Sequence, residues 1–236
     1  MAARHPLQRL ASPSRSFSAL LHIAGIVSFS ASFRYLQLYP QLPDTTYGGH
    51  FQFLTIIGLG LALMTMVSGL LADLFLIPQF FTVKNSLSVC STPLAVLVSI
   101  LYWGLVSIDK SLVVPPDVQH LLPIIPDVGF HAMPAILLSL DLLLLSPPWT
   151  IRMYSAMSLS MVLAFLYWGW VEWCFTKNGF YPYPIFEILS TSQRVVLFTV
   201  SAFLMTLSTL ALKWVYGKLN GIEMFQKEAV NPIKAD

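Results

Sequence analysis

A chain of 236 residues with 56% hydrophobic and only 10% charged residues cannot clothe a water-soluble fold, whose charged share is ordinarily about 25%. Its net charge of +2 excludes a basic nucleic-acid footprint, and two cysteines, Cys90 and Cys174, supply neither a disulfide framework nor a metal-ligand spacing. The surface must meet lipid, and the expected class is an all-α polytopic membrane protein.

Residues 1–16 form a short basic segment with Arg4, Arg9 and Arg15. No Asp or Glu occurs before Asp44, a composition shared by mitochondrial transit peptides and by the positive flank of a signal-anchor helix. The flank is the better reading, because no clear small-residue cleavage site precedes the first span. Six apolar stretches follow, at about 17–38, 51–77, 87–107, 121–145, 153–175 and 194–216. Each comes near the ~20 residues that cross a ~30 Å hydrocarbon core. They are continuously apolar and rich in Leu rather than alternating, which favours helices over a β-barrel. Polar or Pro-rich connectors separate them, and a tail at 218–236 closes the chain. The expectation is a single domain, a bundle of six transmembrane helices.

Lys and Arg set the orientation. With the N-terminus in the cytosol, nine of the thirteen basic residues fall on the cytosolic side: Arg4, Arg9, Arg15, Lys84, Arg152, Lys213, Lys218, Lys227 and Lys234. Arg34, Lys110, Lys177 and Arg194 fall on or near the other side. Six spans return the C-terminus to the cytosol. An endomembrane such as the endoplasmic reticulum is the expected location, ahead of a mitochondrial membrane.

Ionisable groups within spans are few: His22, Asp73, Asp127, His131, Asp141 and Glu172. Asp73 and Asp141 fall toward the cytosolic ends of spans two and four, where headgroups can reach them, or serve as helix-pairing contacts. His22 reads as interfacial, and Glu172 as a snorkelling acid within the aromatic run Trp168–Trp173. His131 differs, because it sits well inside span four, one turn after Asp127. An i, i+4 pair shares a helix face, and an acid there can hold an imidazole's tautomer during proton transfer. An inter-helix hydrogen bond explains the same pair equally well. Pro123 and Pro126 predict an irregular helix just before it. His22 and His131 fall in opposite leaflets, so they cannot share a haem iron. Schiff-base lysines, phosphate-binding Gly loops and Gly-x-Ser-x-Gly elbows are missing from the sequence. No cofactor or metal is therefore expected.

Four blocks, in order, resemble a known family. Tyr47-Gly-Gly-His-Phe-Gln-Phe-Leu-Thr55 opens span two, and Asp127-Val-Gly-Phe-His131-Ala132 lies in span four. Gly179-Phe-Tyr-Pro-Tyr-Pro-Ile-Phe186 precedes the last span, and Tyr216-Gly-Lys-Leu-Asn220 ends it. From about residue 20 to 222 the chain resembles the androgen-induced and androgen-dependent family of six-span membrane proteins. Its animal members are threonine hydrolases of fatty acid esters of hydroxy fatty acids. The resemblance implies Thr55 as nucleophile and His131 as its catalytic partner. Asp127 stands where the family usually has Asn, Val128 where it has the first His, and Ala132 where it has Thr. With Ser146-Pro-Pro-Trp-Thr150, these departures suggest a fungal-type branch.

Depth is compatible with that pairing. Spans two and four both begin on the outer side, which puts Thr55 about 6 Å deep and His131 up to about 15 Å deep along regular helices. The implied chemistry has His131 take the Thr55 proton as the hydroxyl attacks an ester carbonyl, with Asp127 orienting the imidazole. The implied partners are a bilayer-borne lipid ester and membrane lipids, with no nucleic acid. A second reading is a non-catalytic lipid-binding or channel-like protein with His131 and Asp127 as a polar seam. A lipid-sized cavity with Thr55 and His131 in contact beside it favours the first, and a cavity open to both sides favours the second.

Overall fold

The computed structural model describes residues 15–40, 42–114 and 122–220. Most of the basic N-terminal segment, the beginning of the expected span at 121 and nearly all of the C-terminal tail lie outside them. Helices α1 (Arg15–Leu38), α2 (Leu54–Phe75), α3 (Pro78–Ile108), α6 (Met153–Asn178) and α8 (Thr191–Asn220) are each long and apolar enough to cross a membrane. Helices α4 (Ile124–His131) and α5 (Met133–Leu145), bent by 44° at Ala132, are together long and apolar enough to count as a sixth span when read as one broken helix. The short α7 (Ile185–Ile188) lies between α6 and α8. Among the described residues there is no strand. The molecule is thus an all-α polytopic membrane protein. One face carries the start of α1 and the end of α8, and is called the termini face below.

Two turns explain how the spans reverse. Leu76 adopts the left-handed conformation (φ 56°) after α2, its N–H bonding the Ala72 carbonyl at 2.9 Å, and Pro78 opens α3 two residues later. Proline suits that first position because its missing N–H would have had no helical partner. Span three therefore begins at Pro78 instead of near residue 87. Span four is not one regular helix either. Pro123 and Pro126 begin α4 without disrupting it, whereas Pro134, with no N–H and a ring that crowds the preceding turn, accompanies the break at Ala132. At that break the His131 carbonyl accepts a hydrogen bond from Ser99 of α3.

A buried ionic network ties α1, α2, α3 and α5 together near the termini face. His22 Nδ1 meets Asp73 Oδ2 at 2.7 Å, and its Nε2 meets Asp141 Oδ1 at 3.0 Å. Lys84 Nζ reaches Asp141 Oδ2 at 2.8 Å and donates to Ser146 Oγ at 2.7 Å. Ser18 Oγ donates to Asp73, and Arg15 caps the end of α2 through the carbonyls of Asp73 and Leu74. These placements correct the interfacial reading of His22 and the loop position of Lys84, and of the two readings of Asp73 and Asp141 they select the helix-pairing contact. His22, Lys84 and Asp141 are fully buried and Asp73 is 1% exposed, so none is an interfacial or loop charge. Earlier onset of α3 is the reason for Lys84, and mutual pairing is what allows the carboxylates to leave water. Both nitrogens of His22 face carboxylate oxygens, so the hydrogen-bond pattern is complete with a proton on each. Two carboxylates, an ammonium and an imidazolium then balance within these four residues.

Close approach of α1 and α2 makes this possible. A Cβ on Gly69 would stand 2.4 Å from His22 Nε2, and the imidazole, held between two carboxylates, has nowhere to go. Small residues at such crossings let helix backbones approach in lipid. Gly69→Ala is expected to destabilise the bundle by about 1–3 kcal/mol, as overpacking typically does. Thermal unfolding in detergent is the check, and an unchanged midpoint would show that His22 can yield.

Candidate functional site

The block from Tyr47 to Thr55 folds as a stitched cap. Gly48 and Gly49 take positive φ values of 83° and 52° and turn the chain into a short 3-10 segment, Gly49–Gln52. Such backbone is costly for any residue with a Cβ, and a Cβ on Gly48 would also stand 2.9 Å from Cys174 Sγ. The turn is then fastened to α6. Tyr47 N donates to Asn178 Oδ1 at 2.9 Å, and Asn178 Nδ2 donates to Tyr47 O at 3.0 Å. Trp170 Nε1 donates to the Phe51 carbonyl at 2.9 Å. Tyr167 Oη donates to the Gln52 carbonyl at 2.9 Å and accepts from Leu54 N at 3.2 Å. The cap fixes where α2 starts and so places Thr55 in its first turn.

Thr55 lines a cavity of about 320 Å³ bounded by α2, α3, α6, α8 and the segment before α8. That volume lies in the range of small-molecule sites. Its walls are almost wholly hydrocarbon, and no charged residue lines it among the described residues. The lining runs from Thr55 and Tyr183 past Leu61, Leu94 and Met205 to Ser160, seven residues into α6 from its end at the termini face. Leu166 belongs to its wall yet is 65% exposed, which opens this side toward the lipid-facing surface. Beside Thr55 stands the phenol of Tyr183, which interacts with both Thr55 and Tyr167. Burial pushes the Tyr183 phenol above its ordinary pKa, so it remains an O–H donor at neutral pH.

His131 ends α4 and is 8% exposed. Its Nδ1 lies 2.8 Å from Asp127 Oδ1 and 3.1 Å from the Asp127 carbonyl, so Nδ1–H donates and Nε2 is left as the basic nitrogen. The imidazole stacks on Tyr102 of α3, with ring centroids 3.4 Å apart and planes within 5°. Tyr102 in turn interacts with Asp127 and lines the cavity, whereas His131 does not line it. Among the described residues no hydrogen bond joins Thr55 to His131. Thr55 lines the cavity and His131 does not; Tyr102, stacked on the imidazole, is the lining residue that stands against His131.

Glu172 is not a lone snorkelling acid. It accepts from Trp168 Nε1 at 2.8 Å, Tyr181 Oη at 2.8 Å and Arg194 Nη1 at 2.9 Å. Arg194 also donates to the Phe186 carbonyl at 2.9 Å, which pins the segment carrying Tyr183. Sequence reasoning missed Tyr102, Tyr167, Tyr183 and the burial of Lys84. A signal existed for two of them: Tyr183 lies in a quoted block, and Pro78 marks a helix start that carries Lys84 two turns inside. Tyr102 and Tyr167 had none, because a tyrosine in an apolar run looks like interfacial filling. No group of three or more His, Cys, Asp and Glu among the described residues is arranged to hold a metal ion.

Comparison with known proteins shows the family. The sequence profile of the FAR-17a/AIG1-like protein family, where AIG1 stands for androgen-induced gene 1, matches residues 17–217. A UPF0641 membrane protein of Schizosaccharomyces pombe is 34% identical over 206 residues, which is 87% of this chain and 92% of that protein. No solved structure matches the chain.

Proposed function

The chain belongs to the FAR-17a/AIG1-like family of membrane proteins, and from that premise we propose that it is an intramembrane hydrolase of lipid acyl esters. One observation carries the proposal: Thr55 stands on the wall of a cavity of about 320 Å³ whose described lining is almost wholly hydrocarbon and reaches the exposed Leu166. An acyl ester partitions into that environment, and a nucleophile held at membrane depth meets it there. Thr55 Oγ attacks the ester carbonyl, His131 receives the hydroxyl proton and returns it to the leaving alcohol, and water then cleaves the acyl-threonine. Asp127 holds the imidazole in the tautomer that keeps Nε2 basic. Proton transfer requires the Tyr102 ring to swing off His131 or a water chain to bridge past it. Fatty acid esters of hydroxy fatty acids are the first substrates to offer. The Lys and Arg asymmetry supports cytosolic termini in an endomembrane.

A second reading, lipid binding without catalysis, is favoured by the separation of Thr55 from His131. A channel for ions is disfavoured, because the described walls of the cavity are almost wholly hydrocarbon. The deciding experiment offers a panel of lipid esters to the purified chain in nanodiscs, together with an activated acyl ester whose adduct is mapped by mass spectrometry. Turnover with acylation at Thr55 supports the hydrolase. Tight lipid retention with neither turnover nor adduct moves the assignment to a binding protein.

A further inference from the structure

An ester bound in this cavity meets hydrocarbon on nearly every side, so the few polar groups decide where its carbonyl goes. Besides Thr55 these are Tyr102, Ser160, Tyr167, Trp170, Tyr183 and Ser201, and the Trp170 N–H is spent on the Phe51 carbonyl at 2.9 Å. Ser201 Oγ is bonded to the Leu197 carbonyl of its own helix at 2.8 Å. Ser160 lies seven residues before Tyr167 on α6, about 10 Å deeper at 1.5 Å per residue. Tyr102 is engaged against His131 and Asp127. Tyr167 spends its proton on the Gln52 carbonyl and its oxygen on Leu54 N–H. Tyr183 is the remaining donor: its phenol oxygen lies against the Thr55 hydroxyl, the N–H groups of Leu54 and Thr55, and Tyr167, and among the described residues its O–H is given to no backbone carbonyl.

Tyr183 is also held in place before any substrate arrives. Its ring packs edge-on to Phe53 (centroids 5.4 Å apart, 88° between planes) and to Phe186 (5.7 Å, 80°). Pro182 and Pro184 flank it and restrict the backbone, and Arg194 pins the Phe186 carbonyl just beyond. A fixed O–H aimed at developing negative charge, in a water-poor cavity, is the arrangement that stabilises an oxyanion most.

Resting on the threonine-hydrolase reading, we propose that Tyr183 is a catalytic residue that donates a hydrogen bond to the ester carbonyl oxygen and stabilises the oxyanion. As the Thr55 Oγ–carbon bond forms, the carbonyl π pair moves onto that oxygen, and the Thr55 proton passes to the base. Collapse restores the carbonyl and breaks the bond to the alkoxy oxygen, which leaves with that proton. Tyr183 keeps its own proton throughout.

The test uses the full chain in nanodiscs with an acyl ester of a hydroxy fatty acid. Tyr183→Phe retains the ring packing, and folding is followed by monodisperse elution and thermal unfolding. The expected result is a fall in kcat of about 10²–10³-fold, the usual effect of losing one oxyanion donor, with KM nearly unchanged. A tetrahedral phosphonate analogue should lose affinity while the ether analogue of the substrate binds as before. A kcat within about threefold of wild type, a loss too small for an oxyanion donor, or unchanged phosphonate affinity, overturns the proposal. If Tyr183→Phe does not fold, Tyr183→3-fluorotyrosine keeps the ring and lowers the phenol's proton affinity. The alkaline limit of kcat should then move down, and an unmoved limit overturns the proposal. An active wild type with inactive Thr55→Ala and fully active Tyr183→Phe sinks this inference alone, whereas an inert wild type sinks the hydrolase reading and this inference with it.

Discussion

Thr55→Ala is expected to reduce lipid-ester hydrolysis to the uncatalysed background while leaving the bundle folded. Thr55 sits at the start of α2 on a cavity wall and not in the packed interior, so removing its hydroxyl creates no large void. A stability change within about 0.5 kcal/mol is typical of such positions. The chemistry has no such tolerance, since the other hydroxyl beside Tyr183, that of Tyr167, is bonded to the Gln52 carbonyl and the Leu54 N–H. Thr55→Ser should keep turnover, because the nucleophilic oxygen is preserved. His131→Ala should cost about 10²–10⁴-fold, the usual share of a positioned general base. Asp127→Ala should cost less, as it loosens the imidazole without removing it. Rates are measured on nanodisc-embedded protein with folding checked in parallel. Wild-type turnover in folded Thr55→Ala and His131→Ala would keep the reaction and move the site elsewhere.

Lys84→Met is expected to be the most destabilising single change in the membrane-embedded region. Lys84 is fully buried, with its ammonium 2.8 Å from Asp141, 2.7 Å from Ser146 and 5.0 Å from the Phe81 ring centroid. Methionine replaces its volume but leaves one negative charge in the His22–Asp73–Asp141 cluster uncompensated within those residues. Breaking one partner of a buried pair typically costs about 3–5 kcal/mol. The double variant Lys84→Met with Asp141→Leu should cost less than the sum of the single changes, because no orphaned carboxylate remains. His22 keeps its contact with Asp73 in that background. Unfolding in mixed micelles measures all three variants, and strictly additive losses would show that Lys84 and Asp141 are not energetically coupled.

Part of the candidate site was legible in the chain. Thr55 was marked by the block that contains it, and the structure shows why that block is ordered as it is: Gly48 and Gly49 supply the left-handed turn that starts α2. Asp127 and His131 were legible as an i, i+4 pair, since helical spacing alone puts them in hydrogen-bond range. Tyr102 was not, because its place between His131 and the cavity depends on how α3 lies against α4. Tyr167 was hidden for a similar reason, since its partners Gln52 and Leu54 are more than a hundred residues away in sequence.

What the sequence by itself determined is the class of solvent and the kind of element. Scarcity of charge and apolar stretches near 20 residues dictate helices in lipid, because a backbone without water must pair internally. Only the tertiary structure decided which polar groups share a place. His22, Asp73, Lys84 and Asp141 come from four helices, and although Asp73 and Asp141 could be read as helix-pairing contacts, their partners His22 and Lys84 read as an interfacial and a loop charge. Their burial follows from one another's presence, since a charge leaves water when a partner waits at hydrogen-bond distance. Chain spacing encodes which residues share one helix face, but the crossings that bring different helices together are fixed by packing at small residues such as Gly69 and by the break at Ala132.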